Sequence, residues 1–273
     1  MLKQRVVTAF FLLIGMLWAL FFSTTNQWTG LVSVIALVAF WEWSKLGRYS
    51  LITTFLYLLC SAAIYVTIVL FQWHDHVVLL LNFAAVLFWL LIAPLWLNHG
   101  WPTQHPLVHA VLGWLLVFST VFSLMVVKAF GAIHLLILFS IIWLSDSTAY
   151  FVGRAFGRHK LAPRISPGKT WEGVMGALVA VMIYGFSIQF FWPWQTIPLI
   201  AWLHIHPLWF YCLILLIALL GIEGDLFESW LKRCVGVKDS GFILPGHGGI
   251  LDRIDALIAT LPVMALWTEM LVR

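Results

Sequence analysis

Stretches of about 20 consecutive apolar residues recur along this chain from Val6 onward, each long enough for a helix to cross roughly 30 Å of hydrocarbon. Inside a bilayer no water satisfies the peptide groups, so each stretch must close its own hydrogen bonds as a helix. The composition agrees: 63% of residues are apolar, 10% are charged, and the mean hydropathy is +1.00. We read nine crossings, at 6–24, 28–44, 51–71, 77–97, 107–127, 131–150, 172–192, 207–224 and 251–271, and so an all-α, polytopic integral membrane protein. The first stretch is not read as a cleaved signal peptide. It leads into Asn26-Gln27-Trp28 rather than a small-x-small site, and it opens a series of similar spans.

Charge placement orients the series. With the N-terminus in the cytoplasm, the inner segments hold Lys3, Arg5, Lys45, Arg48, Arg154, Arg158, Lys160, Arg164, Lys169, Lys232, Arg233, Lys238 and Arg253. Only Lys128 and Arg273 of the 15 basic residues fall outside. The net charge of +4 is modest, and no nucleic-acid partner is expected. Cys60, Cys212 and Cys234 are widely spaced, which supports neither a disulfide framework nor a zinc site.

The acids divide the chain lengthwise. Residues 1–140 contain Glu42 and Asp75, whereas Asp146, Glu172, Glu223, Asp225, Glu228, Asp239, Asp252 and Asp255 all follow. One membrane domain over 1–273 is expected, with 1–105 as scaffold or partner helices and 106–273 as catalytic helices and loops. Glu42, beside Trp41 and Trp43 and near Lys45, reads as an interfacial ion-pair partner.

The densest constellation lies between Asp225 and Asp255. Asp225 and Glu228 stand three apart near the end of one helix, and Asp252 and Asp255 three apart at the start of the next, so each pair shares a helix face. Such hard oxygen donors suit Mg²⁺, which takes one or two carboxylates and keeps positions for water and phosphate oxygens. Lys232, Arg233, Lys238 and Arg253 would clamp phosphates around them. Gly246, Gly248 and Gly249 run into the last span, where backbone N–H groups and the helix dipole could receive an anion, and His247 adjoins them. His74, His76, His99, His105, His204 and His206 read as solvated loop residues. Glu223 is either a further ligand or a buried structural acid.

A second cluster begins with Asp146-Ser147-Thr148-Ala149-Tyr150 and continues as Ser166-Pro167-Gly168-Lys169-Thr170-Trp171-Glu172-Gly173. It is no Walker A loop, because Pro163 stands where the first glycine belongs. Ser166 is expected to cap a helix, with Pro167 in its first turn and Lys169 and Thr170 meeting an anion at its N-terminus.

At these residues a resemblance becomes visible. Ser229-x-Leu231-Lys232-Arg233, Lys238-Asp239-x-Gly241, Leu244-Pro245-x-His247-Gly248-Gly249 and Asp252-Arg253-Ile254-Asp255 together resemble the signature of bacterial phosphatidate cytidylyltransferases. Gly224-Asp225-Leu226-x-Glu228-Ser229 and the two segments of the second cluster look similar too. The likeness covers roughly 143–258. It implies a commonly dimeric inner-membrane enzyme with its active site facing the cytoplasm, converting CTP and phosphatidic acid to CDP-diacylglycerol and pyrophosphate. It also implies Asp225 and Asp252 as principal metal ligands, assisted by Glu228 and Asp255, for Mg²⁺ with a monovalent K⁺ companion. On the chemistry of the two clusters, Asp146, Ser166, Lys169, Thr170, Glu172, Ser229, Asp239, Gly248, Gly249 and Arg253 are expected to line the nucleotide or lipid head-group site. Thr148, where a smaller residue is usual, and the extra acid Glu223 depart from the pattern.

Two other classes fit less well. A CDP-alcohol phosphotransferase should show Asp-Gly-x-x-Ala-Arg, which does not occur. A transporter should carry mid-span acids and inverted repeats, whereas here the acids gather at the inner ends of consecutive spans.

Overall fold

In the computed structural model, which describes residues 2–70, 74–101, 105–191, 201, 205–243 and 248–272, the apolar runs fold as helices. They are α1 (Leu2–Phe22), α2 (Thr25–Leu46), α3 (Leu51–Leu70), α4 (His74–Leu87), α5 (Ala93–His99), α6 (Pro106–Phe130), α7 (Ala132–Phe156), α8 (Trp171–Phe191), α9 (Pro207–Val235) and α10 (Leu251–Val272). A π-turn, Phe88–Ile92, joins α4 to α5 in one continuous rod. Between α7 and α8 lies an antiparallel hairpin, β1 (Lys160–Ala162) with β2 (Ser166–Thr170).

Among the described residues seven helices are long and apolar enough to cross a membrane, within Thr25–Leu46, Leu51–Val69, His76–His99, Pro106–Phe130, Ala132–Phe156, Trp171–Phe191 and Pro207–Val235. The other two expected crossings correspond to α1, a shorter apolar helix as described, and α10, which carries Asp252, Arg253, Asp255 and Glu269. The chain is therefore an all-α, multi-pass membrane protein.

Burial separates centre from rim. α10 packs against α9, α6 and α4, with Leu251, Ala256, Ile258, Ala259, Leu261, Val263, Met264 and Ala265 all buried, so it forms the axis of the bundle. α3 and α8 instead expose Leu51, Phe55, Leu59, Phe186, Phe190 and Phe191, the outward apolar surface a helix presents to lipid. Tryptophan indoles fasten the centre. Pro262 has no N–H to donate to the Ile258 carbonyl one turn earlier, and Trp89 Nε1 supplies that bond instead at 3.1 Å.

Three boundaries differ from the sequence reading, each for a local reason. α9 continues to Val235 rather than ending at 224, because Asp225 and Ser229, and Glu228 and Lys232, pair one turn apart along it. α7 likewise runs on to Phe156 rather than ending at 150, which brings Gly153 and Arg154 into the helix. Ser166 and Pro167 open no helix. They lie on β2, paired with β1, and the cap falls to Thr170, whose Oγ1 accepts from Gly173 N at 3.1 Å.

Candidate active site

Where α9 and α10 cross, their backbones nearly touch. A Cβ on Gly224 would sit 2.4 Å from the Asp255 carbonyl oxygen, so only glycine permits the approach that sets Asp225 and Asp255 side by side. Along α9, Asp225, Glu228, Ser229 and Lys232 then form one stripe facing α10, α7 and the hairpin.

Lysines alternate with acids across this stripe. Lys169 Nζ, on β2, pairs with Asp225 Oδ2 at 2.8 Å and donates to the Ile222 carbonyl at 3.1 Å. Ser229 Oγ donates to Asp225 Oδ1 at 3.3 Å. One turn on, Lys232 Nζ stands between two carboxylates, paired with Glu228 and bonded to Asp252 Oδ1 at 2.6 Å. Asp146 lies within electrostatic reach of Asp225 and Lys169, and Asp255 within reach of Asp225, Asp146 and Lys232. Acids and cations from α7, β2, α9 and α10 thus form one network, in which five carboxylates gather around two lysines.

The second oxygen of Asp252 is fully engaged. Oδ2 accepts from Ser240 N at 2.9 Å and Gly249 N at 2.8 Å, and Ser240 Oγ lies 3.0 Å from it. The next two amides at the start of α10 are also taken: Ile250 N donates to Glu42 Oε1 at 3.0 Å and Leu251 N to Glu42 Oε2 at 2.8 Å. Thus the Gly249 amide and the first amides of α10, expected to receive an anion, already hold two carboxylates. This also corrects the reading of Glu42. It is wholly buried and bonded to backbone rather than paired with Lys45, whose ammonium lies 3.6 Å above the Trp41 ring.

Other expected contacts separate in the same way. Lys232 is buried among acids rather than open to solvent, while Lys238, Asp239 and Arg253 are exposed. Arg233 donates to the carbonyls of Ile165, at 3.3 Å, and Val237, at 3.4 Å, and so holds the hairpin against α9. Glu172 accepts from His159 Nδ1 at 2.7 Å and closes the base of that hairpin. Thr170 is buried as a helix cap. Glu223 leaves Oε1 buried without a hydrogen-bond partner. Leu244, Pro245, Gly246 and His247 lie outside the described residues.

For a divalent cation the chemistry of the donors fits, though their grouping differs from the expected one. All are hard carboxylate oxygens, as Mg²⁺ requires, and the buried Oε1 of Glu228 has no hydrogen-bond partner. Among the described residues no three side chains of His, Cys, Asp or Glu stand as a ready group around one point. Lys232 separates Glu228 from Asp252, and Asp225 pairs with Lys169.

With the geometry in place, comparison with known proteins decides the family. A model of the cytidylyltransferase family matches residues 3–271. The chain belongs to that family. The match includes α1 to α5, so the likeness extends over the N-terminal half as well. A phosphatidate cytidylyltransferase of Haemophilus influenzae is 35% identical over 286 residues, covering 96% of each chain. One from Pseudomonas aeruginosa is 35% identical over 309 residues, covering 98% of this chain and 97% of its own. One from Thermotoga maritima is 34% identical over 266 residues, covering 96% and 94%. Of the residues gathered at the start of α10, Glu42 and Ser240 are the ones motif reading missed. An acid between two tryptophans of an apolar helix was a signal, since burying it uncompensated is costly. Its partners, 198 to 209 residues away, were not legible.

Proposed function

We propose that this chain transfers the cytidylyl group of CTP to phosphatidic acid, forming CDP-diacylglycerol and pyrophosphate. One observation carries the reading: the motif segments of a cytidylyltransferase, on α7, β2, α9 and α10, meet in a single network of paired lysines and carboxylates. A lipid phosphate oxygen attacks the α-phosphorus of CTP; the bond from that phosphorus to its bridging oxygen breaks, and pyrophosphate leaves. Both reactants are anions, so neutralisation and in-line placement are the main demands, and an ionised phosphate needs no strong base.

Asp225, Glu228, Asp252 and Asp255 would hold Mg²⁺, with K⁺ as a monovalent companion. The bound metal supplies positive charge to the phosphate oxygens. Lys232 and Lys169 offset part of the carboxylate charge and would present cations to an incoming phosphate. Arg233, Lys238, Arg253 and His247 extend that field, and Asp146, Ser166, Ser229, Asp239 and Gly248 border the nucleotide or head group. Thr170, Glu172 and Gly249 shape the site through the helix cap, the hairpin base and Asp252. The acyl chains remain in the bilayer. The skewed distribution of lysine and arginine supports an inner-membrane protein with the site on the cytoplasmic face. By the resemblance the enzyme would act as a homodimer. Purified protein incubated with labelled CTP, phosphatidate and Mg²⁺ should yield CDP-diacylglycerol. A phosphorylated alcohol, or no lipid-linked product, would refute the proposal.

A further inference from the structure

The segment joining α9 to α10 carries Lys238, Asp239 and Ser240, and both of its ends are fastened to the end of α2. At one end, Arg48 NH2 donates to the carbonyl of Val235, the last residue of α9, at 3.1 Å. Arg48 sits at φ 53°, in the left-handed region where glycine is favoured. It closes α2, with its own N–H bonded to Lys45 O at 3.0 Å and Tyr49 N to Ser44 O at 3.1 Å. At the other end, Glu42 takes Ile250 N and Leu251 N, and Ser240 Oγ approaches its Oε2 at 3.0 Å.

Glu42 is fitted closely. A Cβ on Gly249 would lie 2.5 Å from both of its oxygens, and one on Gly241 would lie 2.4 Å from Oε1. Two glycines of the loop are therefore shaped around one carboxylate of the N-terminal half. The Ser240 hydroxyl lies 3.0 Å from Glu42 Oε2 and 3.0 Å from Asp252 Oδ2, and its single proton can serve only one of them at a time. Asp252 Oδ2 already accepts the amides of Ser240 and Gly249, so the hydroxyl is left to hold Glu42 and to lock the loop between the two acids.

From this geometry we infer that Glu42 is a positioning residue for cytidylyl transfer, acting through Ser240 and the first turn of α10 to fix Asp252. It touches no substrate. The inference rests on the assignment of Asp252 to the active site made above. Glu42→Gln keeps the size but places an N–H₂ group against N–H and O–H donors, so at least one contact becomes donor against donor. A displacement of about 1 Å at a reacting group can cost about 100-fold in rate.

The test measures kcat and KM for CTP in purified, folded protein well below its melting temperature, for wild type, Glu42→Gln, Ser240→Ala, the double variant and Asp252→Asn. Ser123→Ala, which breaks a buried bond to Asn82 elsewhere in the bundle, serves as the stability control. Glu42→Gln is expected to lower kcat about 10- to 100-fold with KM for CTP within about threefold. Ser240→Ala should lower kcat in the same direction, and the double variant should be no worse than the poorer single, because both break one linkage. The control should lose melting temperature but keep its kcat. Wild-type kcat in both Glu42→Gln and Ser240→Ala, or losses that multiply in the double variant, would overturn the inference. Should Glu42→Gln not fold, Ser240→Ala alone decides it by the same kcat criterion. Normal turnover by Asp252→Asn would instead overturn the site assignment, which separates the two failures.

Discussion

Two buried carboxylates lie at the start of α10, and they are held by different means. Glu42, from the N-terminal half, is satisfied by neutral donors: two backbone amides and a serine hydroxyl. Asp252, from the C-terminal half, is held by backbone amides on Oδ2 alone; its Oδ1 shares the ammonium of Lys232 with Glu228, and one turn away along α9 Asp225 pairs with Lys169. Backbone amides at a helix start cannot leave without unwinding the helix, so Glu42 is fixed. Lysine ammoniums ride on flexible stems, so in the proposed function the site acids would exchange lysine for an arriving phosphate or metal. One half of the molecule supplies a rigid anchor, and the other an exchangeable charge network.

This contrast can be broken at several points. Asp252→Asn should lose CDP-diacylglycerol formation altogether while the protein still reaches the membrane, as read by product assay and membrane immunoblot. Lys232→Met leaves Glu228 and Asp252 without their cation. Removing one partner of a buried pair costs about 3–5 kcal/mol, so a strong fall in both melting temperature and turnover is expected. Gly224→Ala drives a methyl into the Asp255 carbonyl and pushes α9 from α10. A loss of about 1–3 kcal/mol in stability should accompany reduced turnover, measured by thermal melting and kcat. Glu172→Gln, at the hairpin base, keeps an oxygen to accept from His159 and loses only the charge, so it should have the smallest effect, a slight fall in kcat.

The sequence disclosed the apolar spans because their length alone dictates helices, and it disclosed Asp225, Glu228, Asp252 and Asp255 because acids at helix ends are costly and evenly spaced. It could not disclose that Lys232 would turn inward between two of them, since topology alone accounts for a basic residue at that place. Ser166-Pro167 looked like a helix start because cap chemistry is local. Its pairing with Lys160–Ala162 is a tertiary choice that overrode it. Glu42 shows the same limit at the longest range: its neighbours suggested an interfacial ion pair, but it is buried and the three groups it binds lie near the far end of the chain.

The account stands on Asp252 lying at the centre of a cytidylyl-transfer site. The most direct test follows labelled CTP into lipid with purified wild-type and Asp252→Asn protein, phosphatidate and Mg²⁺. Labelled CDP-diacylglycerol from the wild type and none from the variant is the predicted result. Equal product from both, or none from folded wild-type protein, would contradict it.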